Sequence, residues 1–197
     1  MFELPTSIII DEVEYPIRDK GDFRMVLDCF KALQDEELSK YERVLVSLVI
    51  FYDGVNSIED LSDTFIDLDR AVAEMYKFFN CGTEESFGVK SNYNLIDWGK
   101  DTQIIAAAVN KVIRKEIRAE EYVHWWTFMG YYLSVDEGVF STVVNIRHKM
   151  MKGKKLEKYE NEFKRDNPNY FIWNSRTVEQ READAYFQQM WESNSKK

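Results

Sequence analysis

Glu121 and His124 stand three residues apart, the Glu-x-x-His spacing by which di-iron carboxylate bundles ligate metal from one helix face. A complete site needs a second such pair and two further glutamates. The only other histidine, His148, has Asn145 three residues before it. The motif therefore reads as half a site, and His124 as a histidine hydrogen-bonded beside tryptophans. Glu59, Asp60, Asp63, Asp67 and Asp69 crowd one stretch without the glycine and alternation of a calcium loop, and read as the solvated side of a helix. Cys29 and Cys81 form no C-x-x-C and have no histidine near them in sequence. They read as free, buried small hydrophobes of a reducing compartment. A Gly-rich phosphate loop and a G-x-S-x-G elbow are both missing. The expectation is a protein without catalytic residues, metal or cofactor, and not an enzyme.

Charge gives a different signal. The formal net charge is −9, which argues against general nucleic-acid binding. Yet Arg147–Arg165 holds eight Lys or Arg against three Glu, about +5 locally, so the rest carries about −14. Arg147, Lys149, Lys152, Lys154, Lys155 and Lys158 form a candidate basic patch, with Arg147 and Lys149 expected to point outward. The patch could meet an acidic protein or nucleic acid, or simply place cations at a helix end. No aromatic platform is interleaved with it, so nucleic acid is the less favoured of these.

These residues need elements to hold them, and the pattern is helical. At 197 residues, 45% hydrophobic and 31% charged, the composition is that of a globular protein with a sizeable core. No apolar run approaches the ~18 residues of a membrane span, and the start lacks a signal-peptide pattern. Only Ser7–Ile17 reads as β: a hairpin with Asp11-Glu12 at its tip and Pro16 confining its strand to an edge. No proline falls between Ile17 and Asn167, which suits a run of helices. Asp22 and Ser39 are N-cap candidates, the second opening a segment through Tyr52 whose Val44–Phe51 part could be helix or strand by pattern. Asn80–Leu95 reads as a polar loop. A helix headed by Asp97 reaches Ile117, and Glu120-Glu121 open the next; Asp136-Glu137 then restart a helix that Gly153 ends. The inner face of that last helix is expected at Val139, Phe140, Val143, Val144, Met150 and Met151. The fold class is all-α, a multi-helix bundle of about seven or eight helices with a small N-terminal β-hairpin. Residues 1–167 form the helical domain; 168–197 are a linker and an amphipathic helix at Val178–Glu192, docked or reaching a neighbour.

Two stretches stand out. A helix from Ser57 places Ile58, Leu61, Phe65, Leu68, Val72, Met75 and Phe79 at alternating spacings of three and four, a seam over three heptads. It serves either as core of the bundle or as a partner-binding stripe. Leu61, Phe65, Leu68, Val72, Met75 and Phe79 are the candidate partner-binding residues. The second stretch is His124–Tyr132, where Trp125, Trp126 and Phe128 are the expected structural core.

The His124-Trp125-Trp126-x-Phe128 run lies one helix after Asp101–Ile117 and is followed by Ile146-Arg147 and Gly153-Lys154-Lys155-Leu156. In this, and in Phe2-Glu3-Leu4-Pro5 before the isoleucine hairpin, the chain resembles the bacteriophage gene-product-fifteen family of long-tailed phages over about residues 1–165. Members lie in the tail-morphogenesis region beside the tape-measure gene. The resemblance implies a tail assembly chaperone of the host cytoplasm that binds the tape-measure protein, with the tail-tube protein and self as further partners. A structural tail or head-tail component retained in the virion is one alternative, and a nucleic-acid-associated phage factor another. The resemblance brings no catalytic residues.

Overall fold

The computed structural model describes residues 3–35, 37–83 and 95–172. Eight α-helices follow a two-stranded antiparallel hairpin among the described residues, so the fold is the helical bundle expected. Strands β1 (Ser7–Ile10) and β2 (Val13–Pro16) pair in register Ser7↔Pro16 to Ile10↔Val13. Asp11 and Glu12 make the two-residue turn, both at positive φ. Ile8 and Ile10 are buried while Ile9 faces out, the period-two alternation of a half-covered strand. An Arg70–Asp11 ion pair ties the hairpin tip to the helices.

Helix α1 (Phe23–Gln34) starts at Asp22, whose carboxylate accepts from the Arg24 N–H at 2.9 Å. Helix α2 (Lys40–Phe51) opens with a reciprocal box: Ser39 Oγ accepts from Glu42 N–H, and Glu42 accepts from Ser39 N–H. The cap settles the Val44–Phe51 ambiguity as helix. At its other end the Arg18 guanidinium donates to the carbonyls of Val49, Ile50 and Tyr52, which the helix leaves orphaned, and to that of Val55 beyond it, at 2.6–3.2 Å. No local pattern in the sequence signals that role of Arg18.

The seam is not one helix. Helix α3 (Asp60–Thr64) ends, Phe65 is extended, and α4 (Leu68–Phe79) begins after the Asp67 carboxylate caps the Arg70 N–H at 3.0 Å. The break lets Phe65 turn its ring onto Tyr15 and Tyr52, each with centroids 4.8 Å away.

Helix α5 (Thr102–Ile113) also starts later than expected, and Arg114 ends it in the left-handed conformation. The aromatic helix α6 (Trp125–Leu133) begins at His124, not at Glu120-Glu121. Residues before it run extended: Asp22 and His124 form an isolated antiparallel bridge, and the Phe23 N–H donates to the Val123 carbonyl at 2.9 Å. Glu121 and His124 therefore do not share a helix face. Helices α7 (Val139–Met151) and α8 (Lys158–Asp166) come next, then a short turn at Pro168–Phe171. Most of the Asn80–Leu95 loop and the Val178–Glu192 segment lie outside the described residues.

The core gathers around α6, which packs against α1 and α5. Trp125 and Phe128 are buried and Trp126 is half-buried. The indole N–H of Trp125 donates to the Phe79 carbonyl at 3.0 Å, and that of Trp126 to the Phe78 carbonyl at 2.9 Å. Two neighbouring donors thus hold two neighbouring carbonyls at the end of α4. The chain must then turn under Trp126, and Gly82 does so at φ +82, where a Cβ would come within 3.0 Å of the indole ring. Gly21 does the same beside His124: φ +77, with no room for a Cβ against Phe78. Cys29 and Cys81 are both free, and burial pushes both thiols up, Cys81 to about 11.

His124 caps α6 through Nδ1, which accepts from Trp126 N–H at 3.1 Å, while Nε2 reaches the Pro5 carbonyl at 3.0 Å. Both contacts together require the neutral ring with its proton on Nε2. Burial lowers the His124 pKa below 6.5, against the opposing pull of the Pro5 carbonyl and Asp22. The unfolded chain then takes up the proton first as pH falls. The contribution is full above about pH 6.5 and is lost progressively below it. Urea unfolding should show stability declining from about pH 6.5 towards 5. His124→Asn, which keeps a cap acceptor, should flatten that decline; an unchanged slope would remove His124 as its cause.

Candidate partner-binding surfaces

Helix α7 decides how much of the basic stretch is surface. Phe140, Val143, Ile146 and Arg147 are its buried residues, while Val139 and Met151 are exposed. The inner face is therefore rotated from the one expected, and Arg147 does not point outward. Its side chain is 1% exposed and forms a two-pronged ion pair with Asp101, at 2.5 and 2.9 Å. The same guanidinium donates to the Leu95 carbonyl at 2.7 Å, and to the Tyr170 carbonyl from Nε at 2.8 Å and from a second nitrogen at 2.5 Å. Each of its five N–H groups has an acceptor, the condition for burying a guanidinium at tolerable cost. The sequence carried a signal for this. Phe140, Val143 and Arg147 are spaced i, i+3, i+7, one stripe of a helix.

Lys149 is only partly exposed and pairs with the buried Glu160 at 2.7 Å. That contact lowers the Glu160 pKa and raises that of Lys149. Glu160 also accepts from the Glu157 N–H at 2.8 Å, so one carboxylate both caps α8 and ties it to α7. Lys152, Lys154 and Lys155 on the connection between the two helices and Lys158 at the start of α8 remain exposed, with Met151 and Tyr159 also exposed. Between α7 and α8 a cleft of about 280 Å³ is lined by Thr142, Asn145, His148, Lys149, Lys154 and Tyr159.

The seam residues lie elsewhere. Leu61, Phe65, Val72, Met75 and Phe79 are buried and Leu68 is partly buried against the core. In this structure they are occupied within the chain: Phe79 packs on Phe30 and Phe51, and the backbone of α4 is held by the tryptophans. What the seam region does expose is its charged corner. Glu59, Asp63, Asp67 and Asp69 are open to solvent around Ile58 and Ile66, the latter 96% exposed. Among the described residues no group of three or more His, Cys, Asp or Glu is arranged to hold a metal ion. No helix there is long and apolar enough to cross a membrane.

A family model described as "Bacteriophage Gp15 protein" matches residues 2–171. The chain belongs to that family. The match ends at Phe171, one residue after the carbonyl that Arg147 holds, so it spans the helical body and its closing turn. Neither a curated protein nor a solved structure matches the chain.

Arg147→Met would leave Asp101 charged, buried and short of its partner, and should cost ~3–5 kcal/mol. Lys149→Ala breaks a pair whose lysine stays about a third exposed, where water can replace it, and should cost less. Denaturant midpoints compare them directly. Equal losses would mean that Arg147 is not the tie described.

Proposed function

We propose that the chain is a phage tail assembly chaperone: it binds the tape-measure protein in the host cytoplasm and keeps it soluble while the tail tube assembles. The reading rests on one observation, the Gp15 family match across the whole helical body. What the chain resembles lies among tail-morphogenesis genes, beside the tape measure. The work is done by binding surfaces, without catalysis or cofactor, and the tail-tube protein is a further partner. The tape measure is met on the outside of the bundle, because Leu61, Phe65, Val72, Met75 and Phe79 are committed to the core. Exposed side chains such as Leu133, Val139 and Tyr122 offer apolar contact there without opening it.

Co-expression tests the reading. The tape-measure protein of the same phage should move from the insoluble to the soluble fraction, severalfold or more, when the chain is supplied, and the two should purify together. A tape measure equally insoluble with and without it would end the proposal.

A further inference from the structure

We propose that the α7–α8 corner of one molecule binds the acidic α3–α4 corner of a second copy of the same chain, head to tail. Each corner carries exposed apolar side chains among charges mostly of one sign: Glu157 and Glu162 are the exposed acids among the lysines, and Arg70, at the acidic corner, is paired with Asp11. At the basic corner the apolar side chains are Met151 and Tyr159, the latter 64% exposed, beside Lys152, Lys154, Lys155 and Lys158. At the acidic corner they are Ile58 and Ile66 beside Glu59, Asp63 and Asp69.

The charges are available. Arg147, Lys149 and Arg165 are paired with Asp101, Glu160 and Asp166, but Lys152, Lys154, Lys155 and Lys158 form no ion pair among the described residues. At the other corner Asp60 and Asp67 accept from backbone N–H groups and Glu59 from its own N–H and Ser57, whereas Asp63 and Asp69 form no ion pair among the described residues. The cleft at the basic corner offers the cations and donors a carboxylate needs, from Lys154, His148, Thr142, Asn145 and Tyr159, and its own carboxylate, Glu160, is already paired. Nucleic acid would satisfy the lysines but offers a chain of net charge −9 little attraction elsewhere, and its backbone gives Ile66 and Met151 nothing to bury against. A second copy supplies both the opposite charge and the apolar partner. Because the two corners differ, the contact is heterologous and propagates into a ring or an open array.

Sedimentation velocity on the full chain tests this, with two exposed double variants: Lys154→Glu with Lys155→Glu, and Asp63→Lys with Asp69→Lys. The wild-type mass should rise with protein concentration at low salt and fall back towards monomer as salt is added. Each variant should need about tenfold more protein, or beyond, to associate. Mixed in equal amounts the two should associate again, since each then meets the opposite charge. Ile66→Ser, far from any core contact, should weaken association in the same way without changing charge. Melting curves like the wild type confirm that the variants fold. A wild type monomeric at every concentration overturns the proposal. So does association unchanged in the variants, failure of the mixture to recover it, or association abolished by nuclease.

Discussion

Two adjacent indole N–H groups, from Trp125 and Trp126, are bonded to two adjacent carbonyls, Phe79 and Phe78, and the arrangement of the bundle depends on this contact. A helix end buried against neighbours leaves carbonyls that water cannot reach, costly where unpaired; the Phe78 carbonyl also accepts from the Cys81 N–H at 3.0 Å. Here the donors come from the first turn of α6, so capping α4 also fixes where α6 begins. His124 completes the joint by capping α6 and reaching back to Pro5, and Asp22 caps α1 while accepting the Val123 N–H at 2.9 Å. Helices α1, α4 and α6 thus share one set of polar contacts, wrapped by Phe30, Phe78, Trp98 and Phe128.

The second constraint closes the molecule. Arg147 joins α7, the start of α5 at Asp101, the Leu95 carbonyl and the Pro168–Phe171 turn through one guanidinium. Buried ion pairs add little net stability over apolar side chains, but they penalise every packing that leaves one partner alone. Arg147 therefore specifies which carbonyls meet α7 more than it strengthens the bundle. It also removes a cation from the surface, leaving the basic corner to the lysines after Met151.

Much of the architecture was legible because caps and periodicity are local. Asp22 and the Ser39–Glu42 box announce α1 and α2, and the isoleucine alternation announces the hairpin. The seam misled for a physical reason: Phe65 points to the core from an extended backbone, so its spacing imitates a helix that the Asp67 cap interrupts. The start of α6 was hidden because the segment before it pairs with Asp22, about a hundred residues away, which no local pattern encodes. Arg147 shares the apolar stripe of Phe140 and Val143, so periodicity places it inward while its charge points to the surface. The candidate surfaces were legible only as charge, since which cations are left exposed depends on partners such as Asp101 and Glu160 that the local pattern does not name.

The bundle is closed: the α4–α6 joint is shut, and on the proposed function partners meet only its corners and outer faces. Backbone amide exchange, measured on the chain alone and in the complex that the proposed function requires with tape-measure protein, addresses this most directly. A shut joint predicts new protection confined to surface segments, with amides of α4 and α6 exchanging at the rates of the free protein. Faster exchange in α4 and α6 on binding would show the Phe65–Phe79 stripe leaving the core to hold the partner, and would contradict it.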